Sequence, residues 1–172
     1  MLENVKMNIS ELSTEYSARK LTAADIDIIY ELSKENTMFY KYCPPYVTRD
    51  SILSDMSALP PETSSNDKYY IGFFDGDNLI GIMDLIFNYP NKNTAFIGLF
   101  MMKKSMQGKG TGSKIIDECC KLIKSEGYTF VRLGYAKGNP QSEAFWTKNG
   151  FKKTGEEHEN ANYTAVVMQK AL

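Results

Sequence analysis

The sequence predicts one mixed α/β domain, a sheet of about seven strands with about four helices on both faces. Three observations carry that prediction. The 172 residues suit a single domain able to bury its own core. The apolar pattern has helical spacing early in the chain and turns strand-like from Tyr69. A glycine cluster then joins a buried strand to an amphipathic helix and a further strand, which reads as a right-handed parallel crossover.

In chain order, residues 1–12 read as a loose arm and Tyr16 to Lys20 as a short strand. Thr22 offers a capping oxygen with Asp25 three residues on, and Ala24, Ile28, Ile29 and Leu32 give a first helix running to about Asn36. Pro44 and Pro45 break any helix in the aromatic segment that follows. Thr48 caps a second helix with Ile52, Leu53, Met56 and Leu59 on one face, and Pro60-Pro61 ends it. Tyr69 to Phe74 and Leu79 to Phe87 form a hairpin about Asp75-Gly76-Asp77-Asn78, followed by a strand over Thr94 to Met102. The near-continuous apolar runs in the last two mark central strands covered on both faces. Ile115, Ile116, Cys119, Leu122 and Ile123 make one face of the next helix, which Gly127 ends. Thr129 to Tyr135 is a strand, Gln141 to Asn149 a short helix, and 151–159 with 163–170 a closing antiparallel pair.

Composition removes several functional classes. Twenty basic against 21 acidic side chains argue against a nucleic-acid partner, which would call for a basic excess. No stretch approaches the length of a membrane span, and Met1 to Ser10 lacks the pattern of a signal peptide. One histidine, His158, excludes a multi-histidine metal site and reads as a solvated hairpin residue, so no metal is expected. Three cysteines, two of them adjacent, make a poor disulfide framework and read as small core residues in a reducing cytoplasm. Monomer and homodimer both stay open.

The most informative string is Gln107-Gly108-Lys109-Gly110-Thr111-Gly112-Ser113, between a buried strand and a helix. Glycines allow close approach to the backbone, and the helix N-terminus adds partial positive charge, so the string reads as a phosphate seat. It does not fit the P-loop spacing, and its third glycine comes one residue early for a dinucleotide fingerprint. It does fit Q/R-x-x-G-x-G/A through Gln107, Gly110 and Gly112. Downstream, Asn139 to Phe151 fits N-x-x-[AS]-x-x-[FL]-[YW]-x-x-x-G-F. With the element order, these two motifs make the chain resemble the GNAT superfamily of acetyl-CoA-dependent N-acetyltransferases.

That resemblance implies a mostly antiparallel sheet splayed between its fourth and fifth strands. It also implies direct transfer of an acetyl group from acetyl-CoA to a primary amine of a small molecule or peptide. The backbone of Phe100, Met101 and Met102 would meet the pantetheine arm, and Gln107, Gly108, Lys109, Gly110, Thr111, Gly112 and Ser113 the pyrophosphate. Asn139, Ser142, Phe145 and Lys148 would complete the donor seat. Trp146 stands where many relatives carry a tyrosine that protonates the leaving thiolate. Tyr135 or water would have to replace it, and the gap keeps open a non-catalytic acyl-CoA-binding module. Asp84 interrupts an apolar strand and must be paired or shifted, which makes it a candidate base or ammonium anchor. Tyr40, Tyr42 and Tyr46 are candidates for the acceptor wall. Residues 1–100 carry 8 basic and 14 acidic side chains, residues 101–172 carry 12 and 7. That asymmetry suggests an anionic donor on the basic half and a cationic amine on the acidic half.

Overall fold

A computed structural model describes residues 7–172 of the chain. A seven-stranded sheet runs in the order β1-β2-β3-β4-β5-β7-β6, comprising β1 (Ser17–Lys20), β2 (Lys68–Asp75), β3 (Asn78–Phe87), β4 (Thr94–Met102), β5 (Phe130–Ala136), β6 (Lys152–Glu159) and β7 (Thr164–Ala171). Only the β4–β5 pair is parallel, as the crossover through α4 (Thr111–Ser125) requires. The remaining helices are α1 (Ile26–Lys34), α2 (Thr37–Tyr42), α3 (Arg49–Ser57) and α5 (Pro140–Lys148).

The sheet separates two cores. One holds Leu12, Ile71, Met83, Ile97 and the α4 residues Ile115, Ile116, Cys119 and Ile123, with Trp146 of α5. The other holds Tyr70, Ile82 and Met101 beneath Ile29 and Leu32 of α1 and Ile52 of α3. Alternation along the pleat sends neighbouring β2 and β3 residues to opposite cores.

Three expectations are corrected. Residues 1–6 of the expected loose arm lie outside the described residues, but Met7 and Leu12 are buried and Ile9–Leu12 form a 3-10 turn, so apolar burial ties this end down. The aromatic segment holds a fifth helix, α2, because the helix-breaking prolines come only after Tyr42. Ile28 of α1, Leu53 of α3 and Leu59 just beyond α3 lie outside the core, since these two short helices expose more of their circumference than their apolar spacing suggests.

β4 and β5 pair only from Thr94↔Phe130 to Ile97↔Leu133, and then part. At that point β4 carries a bulge: Leu85 lies opposite Ile97 and Asp84 opposite Leu99, leaving Gly98 extra. The bulge exchanges the strand's faces. Leu99 and Met101 join the α1–α3 side, Phe100 and Met102 the α4–α5 side. Glycine is required there, because a Cβ on Gly98 would lie 2.9 Å from Asp84 Oδ2.

Candidate active site

The parting of β4 and β5 leaves one edge of β4 open. Lys103 donates its N–H to the Ile80 carbonyl at 2.8 Å, so Met101 and Leu99, two and four residues back, also bond toward β3. The amide groups of Phe100 and Met102 therefore point outward into the gap. A cleft of about 370 Å³ opens along this edge. Phe100, Met101 and Met102 form one wall, Gln107, Gly108, Gly110, Gly112 and Ser113 one end, and Asn139, Ser142, Phe145, Trp146 and Lys148 the opposite side. Lys109 is exposed and Thr111 half-buried beside the cleft rather than lining it.

The glycine turn suits an anion for a local reason. Gly108 and Gly110 sit at φ +76° and +80°, which side chains rarely tolerate, and these bends carry the chain from Gln107 into the first turn of α4. Among the described residues, no group of the chain accepts from the N–H groups of Gly108 through Ser113. Six donors at the positive end of a fifteen-residue helix are thus open to a ligand. Gly112 keeps the floor low: a Cβ there would meet the Phe145 ring at 3.3 Å, Met102 at 3.4 Å and the Phe100 ring at 3.5 Å.

Across the cleft, Asn139 caps α5. Its Oδ1 accepts from the N–H groups of Gln141 at 3.1 Å and Ser142 at 3.2 Å, so only its Nδ2 stays available to the cleft. Phe100 stacks on Phe145 with centroids 5.9 Å apart, and Trp146 packs edge-on against Phe145 and Phe151. Ser113 Oγ accepts from Asn149 Nδ2 at 3.2 Å, which links the start of α4 to the end of α5.

The two predicted catalytic residues lie elsewhere. Tyr135 is buried on the α4–α5 side and does not line the cleft. Its phenol stands beside the Glu143–Lys153 ion pair, because β5 has turned that face away from the gap. Burial pushes its pKa up. Asp84 lies on the α1–α3 side of β3, with Oδ2 3.0 Å from Lys68 Nζ. Lys68 also donates to the Ala58 carbonyl at the end of α3, at 2.7 Å. Burial pushes the Asp84 carboxyl up against the opposing pull of Lys68. Oδ1 of Asp84 is buried and has no hydrogen-bond partner among the described residues.

Asp55 couples Asp84 to groups of other segments. Asp55 of α3 acts electrostatically on Asp84, Tyr70, Tyr40, Cys43 and Tyr163, and desolvation raises its own carboxyl. Tyr40, half-buried against Phe39, has its phenol pushed up to about 12 by burial. Tyr42 packs against Gly138, closing α2 onto the β5–α5 turn. Tyr46 is 47% exposed, packs against Tyr40 with ring centroids 5.0 Å apart, and its hydroxyl donates to the Lys34 carbonyl at the end of α1. His158 is exposed, as its polar hairpin implied.

Lys68, Asp55, Asn36 and Gly98 escaped the sequence reading. Lys68 was hidden by an irregular register. Plain counting outward from the Asp75–Asn78 turn puts Tyr69 opposite Asp84, but a bulge between Leu79 and Gly81 shifts the register so that Tyr70 faces Asp84 and Lys68 becomes its same-face diagonal neighbour. Asp55 and Asn36 reach the site only through tertiary packing, which no local pattern encodes.

A family model for the GNAT acetyltransferases matches residues 27–151. The chain belongs to this family. No curated protein sequence matches it. Among solved structures, an acetyltransferase from Thermus thermophilus superposes with a TM-score of 0.73 at 17% identity, covering 91% of this chain and 97% of that one. The PaiA N-acetyltransferase of Thermoplasma acidophilum, solved in complex with coenzyme A, superposes at 0.65 with 23% identity, covering 91% and 99%. A spermidine N-acetyltransferase SpeG chimera from Vibrio cholerae and hSSAT superposes at 0.68 with 22% identity, covering 92% and 96%. At such identities these likenesses speak for the fold. Membership in the family supports an acetyltransferase.

Proposed function

We propose that residues 1–172 form one N-acetyltransferase domain that moves an acetyl group from acetyl-CoA to a primary amine within a ternary complex. The observation that carries this reading is the open β4 edge facing six unpaired backbone N–H groups of the glycine turn. An amide-bearing arm with a pyrophosphate at one end matches both. The free Nδ2 of Asn139, the hydroxyl of Ser142, the Phe145 ring and the ammonium of Lys148 suit the arm and its phosphates. Lys109 and Thr111 serve from outside the cleft, by charge and by the free N–H of Thr111.

In the transfer, the amine nitrogen forms a bond to the thioester carbonyl carbon and the carbon–sulfur bond breaks. The outward N–H of Met102 is placed to donate to the carbonyl oxygen as it gains charge. The amine loses a proton to solvent and the departing sulfur gains one. With Trp146 at the family's tyrosine position and Tyr135 turned away, water is the proton source in this reading. Asp84, with one oxygen held by Lys68, anchors an ammonium through its field rather than taking its proton. Asp55 adds to that field, so the acceptor class is a cationic amine with Tyr40 and Tyr42 along its path. A reducing cytoplasm fits the three free cysteines.

Thermal-shift titration with acetyl-CoA, CoA and ATP tests the donor, and a response to ATP alone would sink it. Thiol release over an amine panel tests transfer. Binding without release on any amine would leave the non-catalytic module, and turnover favouring anionic acceptors would contradict the charge reading. The variant Asp84→Asn is expected to raise KM for a cationic amine about fivefold while leaving CoA affinity unchanged. An unchanged KM would remove Asp84 from the acceptor site.

A further inference from the structure

At the mouth of the cleft, side-chain amides from two separate segments close on one backbone carbonyl, and a third amide braces them. Asn36, between α1 and α2, donates from Nδ2 to the Met102 carbonyl at 3.2 Å and to the Leu32 carbonyl at 3.0 Å. Gln107 donates from Nε2 to the same Met102 carbonyl at 3.0 Å and to Asn36 Oδ1 at 2.7 Å. Gln141 of α5 donates from Nε2 to Gln107 Oε1 at 3.3 Å. Both hydrogens of Asn36 Nδ2 and both of Gln107 Nε2 are thereby used, and both lone pairs of the Met102 carbonyl are taken.

That carbonyl belongs to the outward-facing edge of β4. The sequence motif explains Gln107 as the start of the phosphate turn but gives no role to Asn36, 71 residues away along the chain. An arm that pairs with β4 as an added strand needs the Met102 carbonyl as an acceptor for its amide N–H. In the closed arrangement the carbonyl has no lone pair to offer. One of the two side chains must give way, with the loss of a hydrogen bond.

We propose that Asn36 is a positioning residue that latches the donor seat. With Gln107 it occupies the Met102 carbonyl, and so sets the affinity for the amide-bearing arm of the donor without touching the phosphate end. Because Asn36 also accepts from the α2 residue Tyr40 through its own carbonyl, at 3.4 Å, the latch joins the donor edge to the helix that carries Phe39, Tyr40 and Tyr42. The proposal rests on the donor reading above and deepens it.

Calorimetric titration separates the two. The ligands are CoA and adenosine 3′,5′-bisphosphate, which keeps the nucleotide end but has no amide arm. The variants are Asn36→Leu, which removes the donor and acceptor at similar size, and Asn36→Ala, should leucine prevent folding. Melting temperature checks that each is folded. The latch predicts that the folded variant binds CoA roughly five- to tenfold more tightly, from one hydrogen bond no longer displaced, with bisphosphate affinity unchanged. CoA binding that is unchanged or weaker overturns the latch, and weakening of both ligands together marks Asn36 as mere scaffold. Wild-type protein that binds neither ligand overturns the donor reading itself.

Discussion

The proposed donor and acceptor sides of the molecule are built by different means. The donor side is made of backbone: a bulge at Gly98, left-handed turns at Gly108 and Gly110, and a helix whose first N–H groups are unpaired. The acceptor side is made of side chains, drawn from segments that are distant in sequence. Lys68 holds Asp84 from the neighbouring strand, and Asp55 acts on it from α3. A backbone site recognises a fixed chemical shape. A side-chain site can be remade residue by residue, which suits a shared donor and a variable acceptor.

The comparison can be broken first at Lys68. Replacing it by methionine leaves Asp84 buried without a counter-charge and is expected to cost about 3–5 kcal/mol of stability at pH 8, measured by urea unfolding. The sign of the pH effect follows from Asp84. Its carboxyl is raised in the folded state, so its protonated form favours folding, and stability is lost as pH climbs from the ordinary carboxylate range through the raised value. Without Lys68 the carboxyl rises further, so the deficit of the variant should shrink as the pH is lowered toward 5. A deficit independent of pH would show that Asp84 is not the group left stranded.

The donor side is tested next by Gly112→Val, whose side chain fills the space between Phe145, Met102 and Phe100. CoA affinity should fall about thirtyfold, about 2 kcal/mol, by calorimetry. An unchanged affinity would place the donor elsewhere. Two helix caps then sharpen the contrast. Asn139→Ala and Thr48→Ala each remove a cap and should each lose about 1 kcal/mol of stability, but only the first should also weaken CoA binding. The smallest effect is expected from Lys109→Met, an exposed cation outside the cleft: CoA affinity about twofold weaker in dilute buffer, and equal to wild type at high salt.

The same contrast explains how much the sequence disclosed. The donor side was legible because its signals are local: glycines at fixed spacing, Asn139 and Pro140 at a helix start, an apolar strand before the turn. Fourteen residues were assigned to that seat, and twelve line the cleft. The open edge of β4 was legible only through the family resemblance, because parting from β5 depends on a bulge that Gly98 alone does not announce. The acceptor side gave less. Asp84 stood out as a charge in an apolar strand, but its partner Lys68 precedes the expected strand Tyr69 to Phe74 and comes beside it only through the bulged pairing of β2 with β3. Tyr135 read as either a core aromatic or a substitute acid, and the pleat of β5 places it in the core beside Glu143 and Lys153. Tyr46 stays against Tyr40 at the exposed end of the aromatic run, tied to the end of α1 by a contact that no local pattern encodes.

The central claim is that a donor lies along β4 and is held by backbone amides. Residue-resolved amide hydrogen exchange, with and without acetyl-CoA, tests it most directly. The account predicts new protection concentrated at the N–H groups of Phe100 and Met102 and from Gly108 to Ser113, with β2 and α3 unchanged. Saturating acetyl-CoA that leaves those amides exchanging freely, or protects a different part of the sheet, would contradict it.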